Sequence, residues 1–200
     1  MKLTKKVVNI GSLTDSIGIE GDYLTSRPDG RLFYTHLVDH LGGPSSQFVY
    51  YLDFSKVDLM DSSFADEVFG SVVSARSRGH LELAAFVLVS INEISLDNLE
   101  QSLLSRPARE TGLRNSVVAC QASDGQISLI GKYEDHVGQT FALLNKGMTL
   151  TTRDVADELD LGITAASTRL KVLFNLGLAL RIEQRDGQGK QFVYHSVKCV

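Results

Sequence analysis

Three residues in a row, Asp61, Ser62 and Ser63, carry the best-placed chemistry in this sequence: a carboxylate and two hydroxyls where one backbone periodicity gives way to another. A hydroxyl at the start of a helix lies over unpaired backbone N–H groups and the positive end of the helix dipole. The same place would stabilise a phosphoryl group. Ser63 and Asp66 have the spacing of a capping box, so the plainest role for Ser62 and Ser63 is to cap the helix that follows. Asp53, Asp58 and Asp61 form a second acidic constellation, but Asp53 falls within an apolar strand pattern, which argues against an ion site. His36 and His40 lie four apart, a spacing suited to one metal, yet no third ligand is evident and zinc needs three or four. They are read as a solvated helix face. Cys120 and Cys199 form no C-x-x-C and are read as ordinary apolar residues, with neither a disulfide scaffold nor a metal centre expected.

The elements that must position the serines are legible on both sides of them. Phe48 to Phe54 is aromatic and β-branched, which predicts a strand, while Phe64, Val68, Val72 and Ala75 recur at helical spacing. Upstream, Val7 to Ile10 and Ile17 to Ile19 read as short strands, and residues 26 to 30, with Pro28 and Gly30, read as a turn. Arg31 to Leu41 is a predicted helix with Phe33, Leu37 and Leu41 on one side, ended by Gly42 and Gly43. Downstream, the apolar run from Leu81 to Ser90 fits a strand buried on both faces. A helix over Leu96 to Leu104 follows, with Pro107 beyond it, and then a hairpin of Val117 to Cys120 and Gln126 to Ile130. Alternating strands and helices predict an α/β (α+β) fold: a mixed sheet covered by helices.

The pattern of Leu52, Asp53, Phe54, Ser55, Val57, Asp58, Met60, Asp61, Ser62 and Ser63 resembles the strand-to-helix signature of STAS domains, the fold of bacterial anti-anti-sigma factors. Ser62, Ser63, Phe64, Ala65, Asp66 and Glu67 are closer to a STAS-like subfamily with phenylalanine after the serines. In anti-anti-sigma factors a glycine stands where this chain has Phe64. The resemblance implies that Ser63, with Ser62 beside it, accepts a phosphate from a histidine-kinase-like ATPase. It further implies a partner surface made of Asp61, Phe64, Asp66 and Glu67.

Charge divides the chain. Residues 1 to 131 hold 11 basic and 16 acidic side chains, a net −5, and residues 132 to 200 hold 9 and 8, a net +1. The acidic front suits a protein partner, whereas the tail suits a polyanion if its cations are segregated on one side. Its pattern predicts that segregation. His136 to Asn145 is amphipathic; Thr149 and Leu150 form a short extended piece able to pair with a later hairpin; Thr152 caps a helix carrying Val155, Ala156 and Leu159. After the turn at Gly162 to Thr164, a second helix buries Ala166, Leu170, Leu173 and Phe174, and two strands surround residues 186 to 189.

Residues 135 to 197 resemble a bacterial winged helix-turn-helix domain, through Asp154, Val155, Ala156, Glu158 and Leu159 and then Ala165, Ala166, Ser167, Arg169, Leu170, Lys171 and Leu173. The resemblance implies that the second helix reads double-stranded DNA with Thr164, Ala165, Ser167, Thr168, Arg169 and Lys171. Arg153 from the first helix, and Arg185, Gln188 and Lys190 from the hairpin, would contact its backbone or minor groove. The expected organisation is residues 1–112, the STAS-like unit, residues 113–131, a hairpin serving as extension or connector, and residues 132–200, the small winged unit.

No phosphate-binding loop, dinucleotide fingerprint, metalloprotease helix or nucleophile elbow occurs, so no enzyme, cofactor or metal is expected. The N-terminal apolar stretch is too short and polar for a signal peptide, and no run approaches the roughly 20 residues of a membrane span. A cytoplasmic DNA-binding regulator is the expectation, homodimeric if its target is palindromic. The alternative is a non-enzymatic adaptor in a signalling or phage-defence complex, held to a histidine-kinase-like ATPase.

Overall fold

The computed structural model describes residues 3–19, 21–45, 47–147, 149–186 and 189–198. Gln188 and Cys199 lie outside the described residues.

Among the described residues, ten strands and eight α-helices, α3 and α4 being joined through a π-helical turn, make a mixed α/β fold. A five-stranded sheet runs in the order β1 (Thr4–Asn9), β3 (Phe48–Asp53), β5 (Phe86–Val89), β6 (Ser116–Gln121) and β7 (Ile127–Lys132). The first four are parallel and β7 is antiparallel. The hairpin therefore extends the front sheet. On one face lie α2 (Arg27–Leu41), the run of α3 (Ser62–Ala65), π-turn (Asp66–Gly70) and α4 (Ser71–Ser77), and α5 (Glu93–Arg109). Their Phe33, Leu37, Phe64, Phe69 and Leu99 form a common core with Tyr50, Leu52, Phe86 and Leu88 of the sheet.

The alternate residues of the same strands point the other way, as the period of two requires. Val49, Tyr51, Ala85, Val87, Val117 and Ala119 are buried by the C-terminal segment, among them Val137, Phe141, Leu170, Leu173, Leu176 and Tyr194. The Tyr51 hydroxyl donates to the Val197 carbonyl at 3.2 Å. That segment consists of α6 (Asp135–Gly147), β8 (Thr149–Thr151), α7 (Thr152–Glu158), α8 (Ile163–Asn175), β9 (Ala179–Asp186) and β10 (Gly189–Ser196). Its three strands form a separate antiparallel sheet, β8-β10-β9, so the short piece at Thr149 does pair with the later hairpin.

Several local expectations give way. Residues 10–15 are helix α1 rather than the end of a strand, because Asn9 caps it by accepting from the Ser12 N–H at 3.0 Å. Ile17 is in the turn after that helix, and Ile19 is buried outside any strand. The segment read as a turn at residues 26–30 opens α2, with Ser26 as N-cap and Pro28 in the first turn, where its missing N–H costs nothing. Pro107 sits inside α5. Arg106 and Arg109, on either side of it, are tied to Asp66 and hold that last turn in place. The strand predicted from Leu81 begins only at Phe86. Among the described residues no helix is long and apolar enough to cross a membrane.

Candidate functional site

A small parallel pair, β2 (Tyr23–Leu24) with β4 (Leu59–Met60), fixes the approach to the serines. Three polar residues of α5 and its cap hold β4 from beneath. Ser95 Oγ accepts from the Met60 N–H at 2.9 Å, Asn98 donates to the Met60 carbonyl at 3.0 Å, and Asn92 donates to the Asp58 carbonyl at 2.9 Å. The cap of α3 is Asp61, whose Oδ1 accepts from the Phe64 N–H at 2.7 Å. This corrects the expectation that Ser62 or Ser63 caps. A carboxylate is the stronger acceptor for helix N–H groups, and its use frees both hydroxyls. Ser62 is exposed and Ser63 half-buried.

Asp66 does not reach back to cap either. It is buried, 5% exposed, with three arginines on its carboxylate: Arg27 at 3.3 Å, Arg106 at 3.0 Å and Arg109 at 2.8 Å. The π-turn makes this possible: the Asp66 carbonyl accepts the Ser71 N–H five residues on and also Arg106 Nη1 at 2.8 Å. Gly70 leaves room for that guanidinium: a Cβ there would stand 2.4 Å from Arg106 Nη1 and displace it from Asp66. Glu67 binds Arg27 and Arg31, and Glu110 binds Arg106 and Arg78 and accepts from Ser74. Five arginines thus meet three carboxylates, an excess of two positive charges in a chain of net −4.

The electrostatics follow from that excess. Burial opposes ionisation of Asp66, but the hydrogen bond from Arg109 and the charges of Arg106 and Arg109 outweigh it and hold the carboxyl below the usual range. Glu110 is lowered in the same way, by Ser74 and Arg106 against its burial. Beside this cluster lies a cleft of 360 Å³ lined by Ser62, Ser63, Arg27, Arg109 and Ser102. Ser102 Oγ is buried without a hydrogen-bond partner among the described residues. As for the expected partner surface, Phe64 is fully buried, 5.5 Å from the Phe33 ring, and Asp66 is buried as well. Both belong to the interior, and Asp61 and Glu67 are committed to internal bonds.

The tail presents a second arrangement. Thr151, not Thr152, caps α7: its hydroxyl accepts from the Asp154 N–H at 3.2 Å, and Asp154 returns the bond to the Thr151 N–H at 2.7 Å. Along α8, Ala166, Leu170 and Leu173 are buried, while Thr164, Ala165, Ser167, Thr168 and Lys171 are exposed. Phe174, expected inward, is half-buried, with the Arg181 guanidinium 4.3 Å over its ring. An open groove gathers Arg153, Asp154, Ile163, Ser167, Lys190 and Phe192. Ile163 and Phe192 are 55% and 41% exposed, an unusual apolar pair on its walls. Arg169 stands apart, donating to Gln139 of α6 at 3.3 Å. Lys190 is paired with Glu183 at 3.0 Å and lies opposite Arg185 in the hairpin register.

Sequence reasoning missed the arginines. Arg27, Arg106 and Arg109 come from elements about 40 residues away from Asp66, and no local spacing joins them to it. It also missed Arg76, 5% exposed between the sheet and α8, which donates to the carbonyls of Leu83, Ala84 and Leu176. The chain matches no protein-family model and no curated protein sequence.

Proposed function

We propose that this protein is a cytoplasmic DNA-binding regulator in which a STAS-like unit, carrying the serines, is fused to a winged helix-turn-helix. The observation that carries the reading is the polar outer stripe of α8, with Thr164, Ala165, Ser167, Thr168 and Lys171 exposed opposite a buried apolar stripe. A helix with such a face, preceded by a capped helix and a turn and followed by a hairpin, suits insertion into a major groove. Arg153 and Lys190 border the same groove, where phosphates would run. The test is a gel shift of the full chain on duplex DNA. Retention that weakens steeply with salt is expected. No retention at low salt would overturn the reading.

A specific observation favours a second role for the front. Ser62 and Ser63 share their cleft with Arg27 and Arg109, both with side chains 48% exposed, so a phosphate on Ser63 would meet two guanidiniums able to bind it. On this reading a histidine-kinase-like ATPase phosphorylates Ser63 and reads the surface around it, making the protein an adaptor between kinase and DNA. Intact mass after co-expression with such an ATPase tests it. A phosphate lost in Ser63→Ala and retained in Ser62→Ala is expected; an unmodified chain defeats it.

A further inference from the structure

The connection between α4 and β5, the junction between α8 and β9 and the loop residues Pro44 and Ser45 border a partly open cavity of 230 Å³. Its walls are apolar on both sides: Leu81, Leu83 and Ala85 from the front, Phe174 and Ala179 from the back. Arg76 supplies the buried polar part, and the more exposed Ser45, Glu82 and Asn175 complete the lining. A guanidinium has five N–H donors, and the carbonyls of Leu83, Ala84 and Leu176 take three of them. No carboxylate pairs with Arg76 among the described residues, and Glu82 sits exposed at the rim. Burial, with no carboxylate beside it among the described residues, pushes the guanidinium down to about 10. This differs from the arginines around Asp66, each of which has a carboxylate.

A buried cation without a counter-charge is costly, and an anion brought to it replaces the water it has lost. We infer that this cavity binds a small organic acid, its carboxylate on Arg76 and its apolar body between Leu81, Ala85 and Phe174. The size suits a compact molecule, below the range of about 300–1,000 Å³ found for drug-sized ligands. Because the walls come from both halves of the chain, an occupant would tie the end of α8 to the sheet. Gly177 leaves room for the guanidinium: a Cβ there would stand 1.7 Å from Arg76 Nη1.

Calorimetric titration reads binding on the unaltered chain and keeps Glu82 in the lining. Titrating the full chain with benzoate is expected to give a saturable heat with a Kd of about 1 mM or tighter. Benzamide, the same shape without the charge, should bind at least about tenfold more weakly, a loss set by the missing charge-assisted bond. Arg76→Met should abolish the response to benzoate. Where circular dichroism shows that variant unfolded, Leu81→Phe takes its place, narrowing the cavity while keeping the guanidinium, and should weaken benzoate by the same criterion. Equal responses to benzoate and benzamide, no saturation, or an undiminished response in the folded variant would each overturn the inference. The readout needs no DNA, so its failure leaves the regulatory reading standing.

Discussion

The guanidinium of Arg76 reaches the backbone carbonyl of Leu176 at 3.3 Å, joining α4 to the last residue of the α8 turn across 100 positions of sequence. With its further bonds to the Leu83 and Ala84 carbonyls, this side chain anchors the C-terminal end of α8 to the segment that leads into β5.

The first prediction concerns that joint. Arg76→Ala leaves three buried carbonyls without donors and opens a void, and is expected to cost about 2–4 kcal/mol in denaturant unfolding. Gly177→Ala combines a left-handed φ of 74° with the clash against Arg76. In the Arg76→Ala background only the φ cost of about 1 kcal/mol remains. The two changes should therefore be non-additive by about 1–2 kcal/mol in a double-mutant cycle. Additive costs would mean that the two residues do not meet.

At Asp66 the expected signature is a pH dependence. Its carboxyl is held below the ordinary range in the folded chain, so the stability it contributes is fully present above the ordinary carboxylate value of about 4 and is lost progressively below it, as pH falls through the lowered pKa of the folded state. Unfolding midpoints of the wild type should drop on acidification, and Asp66→Asn should flatten part of that slope, with Glu110 and Asp53, both also lowered, contributing to what remains. At neutral pH Asp66→Asn should cost about 2–4 kcal/mol. That is less than a fully buried pair would, because Arg27 and Arg109 remain half in solvent. An unchanged acid slope would show that the carboxyl titrates normally.

How much of this was legible depends on how far apart the interacting residues lie. The sheet strands, the amphipathic α6 and α8 and the hairpin are written in local periodicity, and the burial of β5 on both faces follows from its apolar run. Caps were less legible, since Asp61 and Thr151 win by one position over Ser62 and Thr152 through bond geometry that spacing does not encode. What covers the second sheet face was not legible at all. Tyr51 and Val87 meet a segment that begins with α6, and nothing in their own neighbourhood names that partner. The Asp66 cluster is hidden for the same reason: Arg106 and Arg109 look like ordinary basic residues at a helix end.

The capping assignment can be separated from any phosphorylation. Asp61→Ala removes the acceptor for the Phe64 N–H and a weaker one, at 3.4 Å, for the Ser26 N–H, which heads α2. A loss of about 1 kcal/mol is expected, in the usual range for an N-cap. Ser63→Ala should change thermal stability by less than half as much, since it removes no cap bond. The reverse order would return the cap to Ser63.

In DNA binding the positions of the basic residues sort the variants. Lys171 is exposed on the outer stripe of α8 and Arg153 borders the groove, so each replaced by alanine should weaken binding across sequences and lower the salt slope by about 0.9 per lost phosphate contact. Arg169 is engaged by Gln139 on α6, so Arg169→Ala should leave the slope unchanged. Ser167→Ala, on the stripe but uncharged, should alter sequence preference rather than salt dependence. Binding isotherms at several salt concentrations distinguish the three classes. A slope that falls with Arg169→Ala and not with Lys171→Ala would place the nucleic acid on the α6 side of the helix instead.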